Sequence, residues 1–364
     1  MLKLRHKKIE EGGNNMSNKS NPFNLGFGEV PSQYISRFAE TEKILNSFTS
    51  ETPFSRSFIL VGVRGSGKTV MMSDISDKLK KEKNWVIVNL TPDCDNIIAE
   101  AISDICRQEK IKRISTKAQI GSPIFSVDIS LENSNLESHE YATMRTVLDI
   151  AKKRKKKVLF TIDEIVANKS IKKFTSLFQI LVREKYPVFL LMTGLYDNVA
   201  NVQDGKTSTF LYRSIKVNLA QLNVTGMAYS YEQTLGISKS EALDMAKKTN
   251  GYSYAFQLLG YYTWEKMKGN TKINTEISTR QHLEEYAYNK IWSEISKNEK
   301  QILNAMALQG ENKVSALREI TGFKTNEFSV YRSRLIGKGI VSSPDRGYLE
   351  FVLPYFGEFI VNMF

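Results

Sequence analysis

The residues best suited to chemistry sit in one short run. Gly62-Val63-Arg64-Gly65-Ser66-Gly67-Lys68-Thr69 fits the pattern G-x-x-x-x-G-K-[ST] in full. Glycines let such a loop wrap closely, so that backbone N–H groups point inward at phosphate oxygens. The helix that starts beneath the loop, running on through Val70, turns its positive end toward the same anion. Lys68 would reach the β and γ phosphates, and the Thr69 hydroxyl suits Mg2+. A second element adds acid groups: the apolar run Val158–Ile162 ends in Asp163 and Glu164. Asp163 would accept from the water shell of Mg2+, and Glu164 would orient and polarise an attacking water. Carboxylates also follow strands merely as solvated turn residues. Thr193, after the apolar run Val188–Met192, either senses the terminal phosphate between these two elements or simply ends a strand. Arg213, after Phe210-Leu211-Tyr212, is either an arginine finger for a neighbouring subunit's nucleotide or a surface residue.

Such groups need elements to hold them. Short apolar runs at Phe58–Val61, Trp85–Leu90, Val158–Ile162 and Val188–Met192 predict buried strands. Between them, apolar spacing predicts helices over Tyr34–Ser50, Val70–Lys81, Asp95–Arg107, Thr143–Lys152 and Phe174–Glu184. Alternating helices and continuous apolar strands predict an α/β fold with a parallel sheet. Lys110–Ser138 interrupts this order, and alternation at Ile124–Ile129 suggests a hairpin-like insertion. From about Leu219 the pattern is helical only, with Ser238–Thr249 and Ser253–Met267 joined across Asn250-Gly251. The last segment reads as helices Asn298–Leu308, Val314–Thr321 and Asn326–Gly337, then strands Ile340–Ser342 and Tyr348–Val352 around the turn Pro344–Gly347. The resulting layout is a tail over 1–20, an α/β nucleotide-binding domain over 21–218, a helical lid over 219–290 and a winged helix-turn-helix over 291–364.

Composition narrows the classes. Of 364 residues, 41% are hydrophobic and 25% charged, which excludes a wholly disordered chain. No stretch approaches the roughly 20 apolar residues of a membrane-spanning helix, and the N-terminus has no apolar signal core. Cys94 and Cys106 predict reduced thiols in a cytoplasmic protein. Three histidines (His6, His139, His282) are a poor basis for a His-rich metal site. The net charge of +12 favours polyanion partners. The basic run Lys152–Lys157 reads as a solvated connector, with nucleic-acid binding or nuclear localisation as the alternative. Glu11-Gly12-Gly13 can be encoded as a purine-rich ribosome-binding sequence ahead of Met16. Translation of a bacterial chain would then start at Met16; the alternative is a basic tail. Without residues 1–15 the charge is still +10.

Taken together, Gly62–Thr69, Ile162-Asp163-Glu164, Thr193, the helical region and the C-terminal helix–turn–helix resemble an AAA+ ATPase. The likeness is to the branch of origin-recognition initiators and STAND signalling ATPases, and more closely to bacterial "ATP-binding protein" relatives of archaeal ATPases. Met192-Thr193-Gly194-Leu195-Tyr196, Phe210-Leu211-Tyr212-Arg213 and Thr249-Asn250-Gly251-Tyr252 carry the closer match. The resemblance implies ATP, Mg2+, a nucleotide-gated lid and an adenine pocket from the N-terminal segment. In Ser36-Arg37-Phe38-Ala39-Glu40, Arg37 and Glu40 match a Gly-Arg-x-x-Glu pattern and Ser36 departs from it. Gly251-Tyr252-Ser253-Tyr254-Ala255 lacks the second sensor arginine that many relatives carry there, which leans toward the STAND side or slow turnover.

In the C-terminal module the last helix would enter the major groove of double-stranded DNA. It offers Lys324, Asn326, Ser329, Arg332, Arg334 and Lys338, with Phe328, Tyr331 and Leu335 facing the core and Arg346 at the wing tip. Two functions follow: a nucleotide-switched, initiator-like or mobile-element DNA-binding ATPase, or a regulatory ATPase that switches protein partners or forms homo-oligomers.

Overall fold

The structure, a computed structural model, describes residues 20–26, 30–111, 136–203 and 209–364. The N-terminal tail up to residue 19 and the expected hairpin at Ile124–Ile129 lie outside the described residues. Helix α1 (Phe38–Thr49) precedes the first half of the sheet: β1 (Ser57–Val61), α2 (Lys68–Lys80), β2 (Trp85–Leu90) and α3 (Ile97–Gln108). The second half runs α4 (Leu136–Lys153), β3 (Lys157–Ile162), α5 (Lys169–Arg183), β4 (Val188–Gly194), α6 (Tyr196–Gln203), α7 (Thr209–Arg213) and β5 (Ile215–Asn218).

All five strands are parallel, in the order β2-β3-β4-β1-β5. Their apolar runs are continuous because helices cover both faces. Ile59, Phe160, Leu190 and Met192 pack on one face with Ile98 and Ile105 of α3, Val147 of α4 and Phe174 of α5. Phe58, Leu60, Leu159 and Leu191 pack on the other with Ile44 and Phe48 of α1 and Met71 and Ile75 of α2. Asn96 and Asn168 cap α3 and α5 by accepting from the backbone N–H of Ala99 and Ile171, each cap worth about 1 kcal/mol. The chain leaves β1 toward one edge of the sheet and leaves β4 toward the other. The crevice outside the ends of these neighbouring strands is where ligands of open α/β sheets bind. Register aligns the ends: Val61 lies beside Gly194, and Ile162 beside Met192. The loops that follow β1, β3 and β4 therefore converge.

The helical region comprises α8 (Val224–Leu235), α9 (Lys239–Lys248), α10 (Ser253–Met267) and α11 (Thr275–Leu283). Phe23, buried at 2% exposure, fixes the N-terminal segment to it. Its ring lies 5.8 Å from Tyr231 and 5.9 Å from Phe256. Gly260 makes this possible, since a Cβ there would stand 2.4 Å from Phe23 Cε1. A π-helical turn, Glu284–Tyr288, then leads into α12 (Asn289–Glu294). The C-terminal module follows as α13 (Lys297–Gln309), α14 (Val314–Thr321), α15 (Thr325–Gly337), the antiparallel pair β6 (Val341–Ser342) and β7 (Glu350–Phe351), and α16 (Phe356–Asn362). The two strands are shorter than expected, and α16 was not anticipated. Phe328 and Leu335 are buried as expected and Tyr331 is half-buried. Among the described residues no helix is long and apolar enough to cross a membrane.

Candidate nucleotide site

The loop between β1 and α2 turns through Gly65 and Gly67, at φ 73° and 88°. These left-handed values suit glycine. Lys68 is buried at 6% exposure and folds back inside the loop, its Nζ donating to the carbonyls of Gly62 (2.9 Å) and Val63 (3.0 Å). Burial pulls its pKa down from 10.5 to about 8, against the opposing pull of Glu164 and Asp163. The Ser66 hydroxyl is buried with no hydrogen-bond partner. Arg64 points outward: its Nη2 donates to Glu294 at 2.8 Å, and its Nη1 lies 3.6 Å from Glu164 Oε1.

Beneath the loop the strand ends are tied together. The Thr69 hydroxyl donates to Asp163 Oδ2 at 2.9 Å. The Thr193 hydroxyl donates to Asp163 Oδ1 and accepts the Glu164 backbone N–H at 2.9 Å. Thr193 is fully buried, and it joins the Asp163 carboxylate and the Glu164 backbone to β4. Glu164 sits at φ 52°, a left-handed conformation unusual for a residue with a side chain. Such backbone costs of order 1–3 kcal/mol and persists where surrounding bonds hold it. Here the bonds from Glu164 N to Thr193 Oγ1 and from Ile165 N to the Thr193 carbonyl hold it.

The helical region closes over the outer side of the loop. Tyr252 Oη donates to the Arg64 carbonyl at 2.6 Å, Tyr254 N to the Gly65 carbonyl at 3.2 Å, and Ser253 Oγ to the Ser66 carbonyl at 3.1 Å. Arg37 Nη2 donates to the same Ser66 carbonyl at 3.1 Å and to the Ala220 carbonyl at 2.7 Å. A Cβ on Gly65 would stand 2.3 Å from Tyr252 Oη. The Tyr-Ser-Tyr contact was not foreseen, because nothing in the sequence around these residues signals that the helix start bonds to the loop. Glu294 was missed too, because nothing in its sequence neighbourhood marks it as a partner of Arg64. A cavity of about 480 Å3 runs from the N-terminal segment (Asn24, Pro31, Tyr34) past Arg37, Val70 and Gln257 to Lys68, Thr69, Asp163 and Glu164.

The other expected residues lie elsewhere. Arg213 is exposed and ends α7, just before β5, whose Ile215 pairs with Phe58. That is the end of the sheet opposite the phosphate loop, which follows the other end of the neighbouring strand β1. Lys324, Asn326, Ser329, Arg334 and Arg346 are exposed on the C-terminal module. Arg332 is half-buried and donates to Ser343 Oγ at 2.8 Å. Lys338 requires a correction. Its Nζ lies 2.8 Å from both Glu299 and Asp197, and its side chain is 12% exposed, so it faces α6 of the α/β region rather than a DNA groove. The basic run is a partnered connector: Arg154 and Lys156 pair with Glu109, and Lys157 lies over the Trp85 ring.

Comparison with solved structures matches this architecture. The Aeropyrum pernix ORC2 protein, solved as ADPNP–ADP complexes, is 15% identical over 93% of this chain and 96% of that one, with a TM-score of 0.58. The likeness is one of fold, and it runs through the parallel sheet and the helical regions that follow it. Cdc6p from Pyrobaculum aerophilum is 13% identical, covers 93% of this chain and 96% of its own, and has a TM-score of 0.49. Residues 285–360, which include Lys290 and Glu294, match a family described as a domain of unknown function (DUF8462). No curated protein sequence matches the chain.

Proposed function

We propose that this chain binds ATP with Mg2+ in the crevice above β1 and β4, hydrolyses it, and uses the cycle to control double-stranded DNA held by a C-terminal winged helix. The observation that carries the reading is the bonded set Thr69, Asp163, Glu164 and Thr193 beneath a complete phosphate loop. The residues fit the group: the Ser66 hydroxyl is buried without a partner, and the lysine ammonium is buried at the loop's centre. Bound Mg2+ would supply positive charge against the phosphate oxygens. Lys68 would bind the β and γ phosphates, Thr69 and Asp163 would hold the metal, and Glu164 would orient the attacking water. Thr193 would keep the Asp163 carboxylate and the Glu164 backbone in place. Arg37 and the N-terminal segment would border the base, and Arg213 would serve a neighbouring subunit.

Lys324, Asn326, Ser329, Arg334 and Arg346 are exposed, which supports a DNA-facing surface on α15 and the hairpin. A second reading, a regulatory switch for protein partners, is favoured by the seating of the end of α15 on α6. There Lys338 pairs with Asp197, and a Cβ on Gly337 would stand 2.3 Å from Tyr196 Cε2. Gel shifts with duplex DNA at low salt, with and without ATP, separate the two. Salt-dependent binding that changes with nucleotide supports the first. No binding in either state, with ATP-dependent oligomers of the Glu164→Gln form by light scattering, supports the second.

A further inference from the structure

The helical region meets the phosphate loop without a cation of its own, through the Tyr252 and Ser253 hydroxyls and the Tyr254 backbone N–H. A cation from another element lines the cavity instead. Lys290 of α12 lines the same space as Lys68, Thr69, Asp163 and Glu164. Its Nζ lies 3.8 Å from Glu294 Oε1, the oxygen that also accepts from Arg64 Nη2 at 2.8 Å. Arg64 in turn reaches Glu164, with 3.6 Å between Nη1 and Oε1. Lys290 therefore stands at the phosphate end of the cavity, one carboxylate away from the phosphate loop. Its side chain is 61% exposed, and its only ion pair among the described residues joins residues one helical turn apart. Pairs of that kind contribute little in water. A polyphosphate in the cavity offers the ammonium a stronger, charge-assisted bond.

We infer that Lys290 contacts the terminal phosphate of a bound nucleoside triphosphate. The inference rests on the ATP reading of this cavity. It adds a direction to the switch. Lys290 lies just after the π-helical turn Glu284–Tyr288, an irregularity of a kind that often marks functional positions. Glu294, the last residue of α12, is followed by Ile295, Ser296 and then α13, the first helix of the C-terminal module. Movement of Lys290 toward a terminal phosphate therefore pulls on that module directly. The same event takes one of its two cations from Glu294, and a triphosphate that also draws in Arg64 leaves Glu164 free to orient water.

The test is a titration of the full chain with ATP and with ADP, in Mg2+, by isothermal calorimetry. Lys290→Met should bind ATP more weakly by on the order of tenfold and leave ADP affinity unchanged. Lys290→Arg should restore the preference for ATP. Melting curves matching the wild type keep folding out of the comparison, as the exposure of Lys290 predicts. Equal ATP and ADP losses in Lys290→Met, or no loss at all, would overturn the inference while leaving the ATP reading intact. A wild-type chain that binds neither nucleotide would end both, and loss of both nucleotides in Lys68→Ala marks the cavity reading separately.

Discussion

The two regions suited to polyanions are built in opposite ways. In the crevice, Thr69, Asp163, Thr193 and the Glu164 backbone bond to one another, and Lys68 is buried within its loop. On α15 and the hairpin, Lys324, Asn326, Arg334 and Arg346 are exposed. Fixed polar groups in a closed site favour charge that develops at one place, as chemistry requires. Exposed cations on long side chains follow a phosphate backbone and add affinity without fixing geometry. Lys338 lies on the border: it belongs to the second region by sequence and to the first by burial.

Substitutions that exchange the two behaviours would break this contrast. The largest effect is expected at Lys68. Lys68→Ala should lower ATP affinity by at least about a hundredfold, since a charge-assisted phosphate contact inside a water-poor loop is lost, and calorimetry checks it. Next comes Lys338→Ala, which leaves the buried Glu299 without its cation. It should cost roughly 3 kcal/mol, visible as a lower Tm, with DNA affinity unchanged by comparison. Arg334→Ala should do the reverse: an unchanged Tm, a few-fold weaker duplex binding at low salt, and a salt slope reduced by about one. If Lys338→Ala weakened DNA binding as Arg334→Ala does, at equal Tm, the division between the regions would fail.

The smallest expected effect is on pH. Lys68 titrates near pH 8 in the folded chain and near 10.5 when unfolded. Between those values the unfolded chain holds the extra proton, so the stability of the ligand-free protein from this group rises with pH across that window. If Lys68 binds phosphate as proposed, ATP affinity should move the other way, falling above about pH 8 as its ammonium is lost. Thermal melts and calorimetry over pH 7–10 should therefore diverge in sign, and Lys68→Met should abolish the divergence.

Much of this was legible in the sequence, for identifiable reasons. Strands β1 to β4 are apolar runs because both faces of the sheet are covered, so periodicity found them to within a residue or two. Helices α10 and α14 match their expected limits, because Asn250-Gly251 and Gly322 punctuate them. Strand β5 was missed because Lys216 and Asn218 on this sheet edge are exposed and break the apolar run. Helix α16 was missed because Gly357 and its aromatic neighbours carry no helical signal. That helix is set by packing, with Phe356, Phe359 and Ile360 buried in the module's core. In the site, the loop and strand-end acids were readable because their chemistry is local. The clamp by Tyr252, Ser253 and Tyr254 and the Arg64–Glu294 pair were not, since they join residues about two hundred positions apart.

The central claim is that Glu164, held by Thr193 at the end of β3, orients water for hydrolysis of a nucleotide bound by the loop. Phosphate release from ATP and Mg2+ by the wild type and by Glu164→Gln, with ATP binding measured alongside, tests it most directly. Binding should be unchanged and turnover lower by about 10²–10⁴-fold in the variant. Equal phosphate release from the two proteins, at equal ATP occupancy, would contradict it.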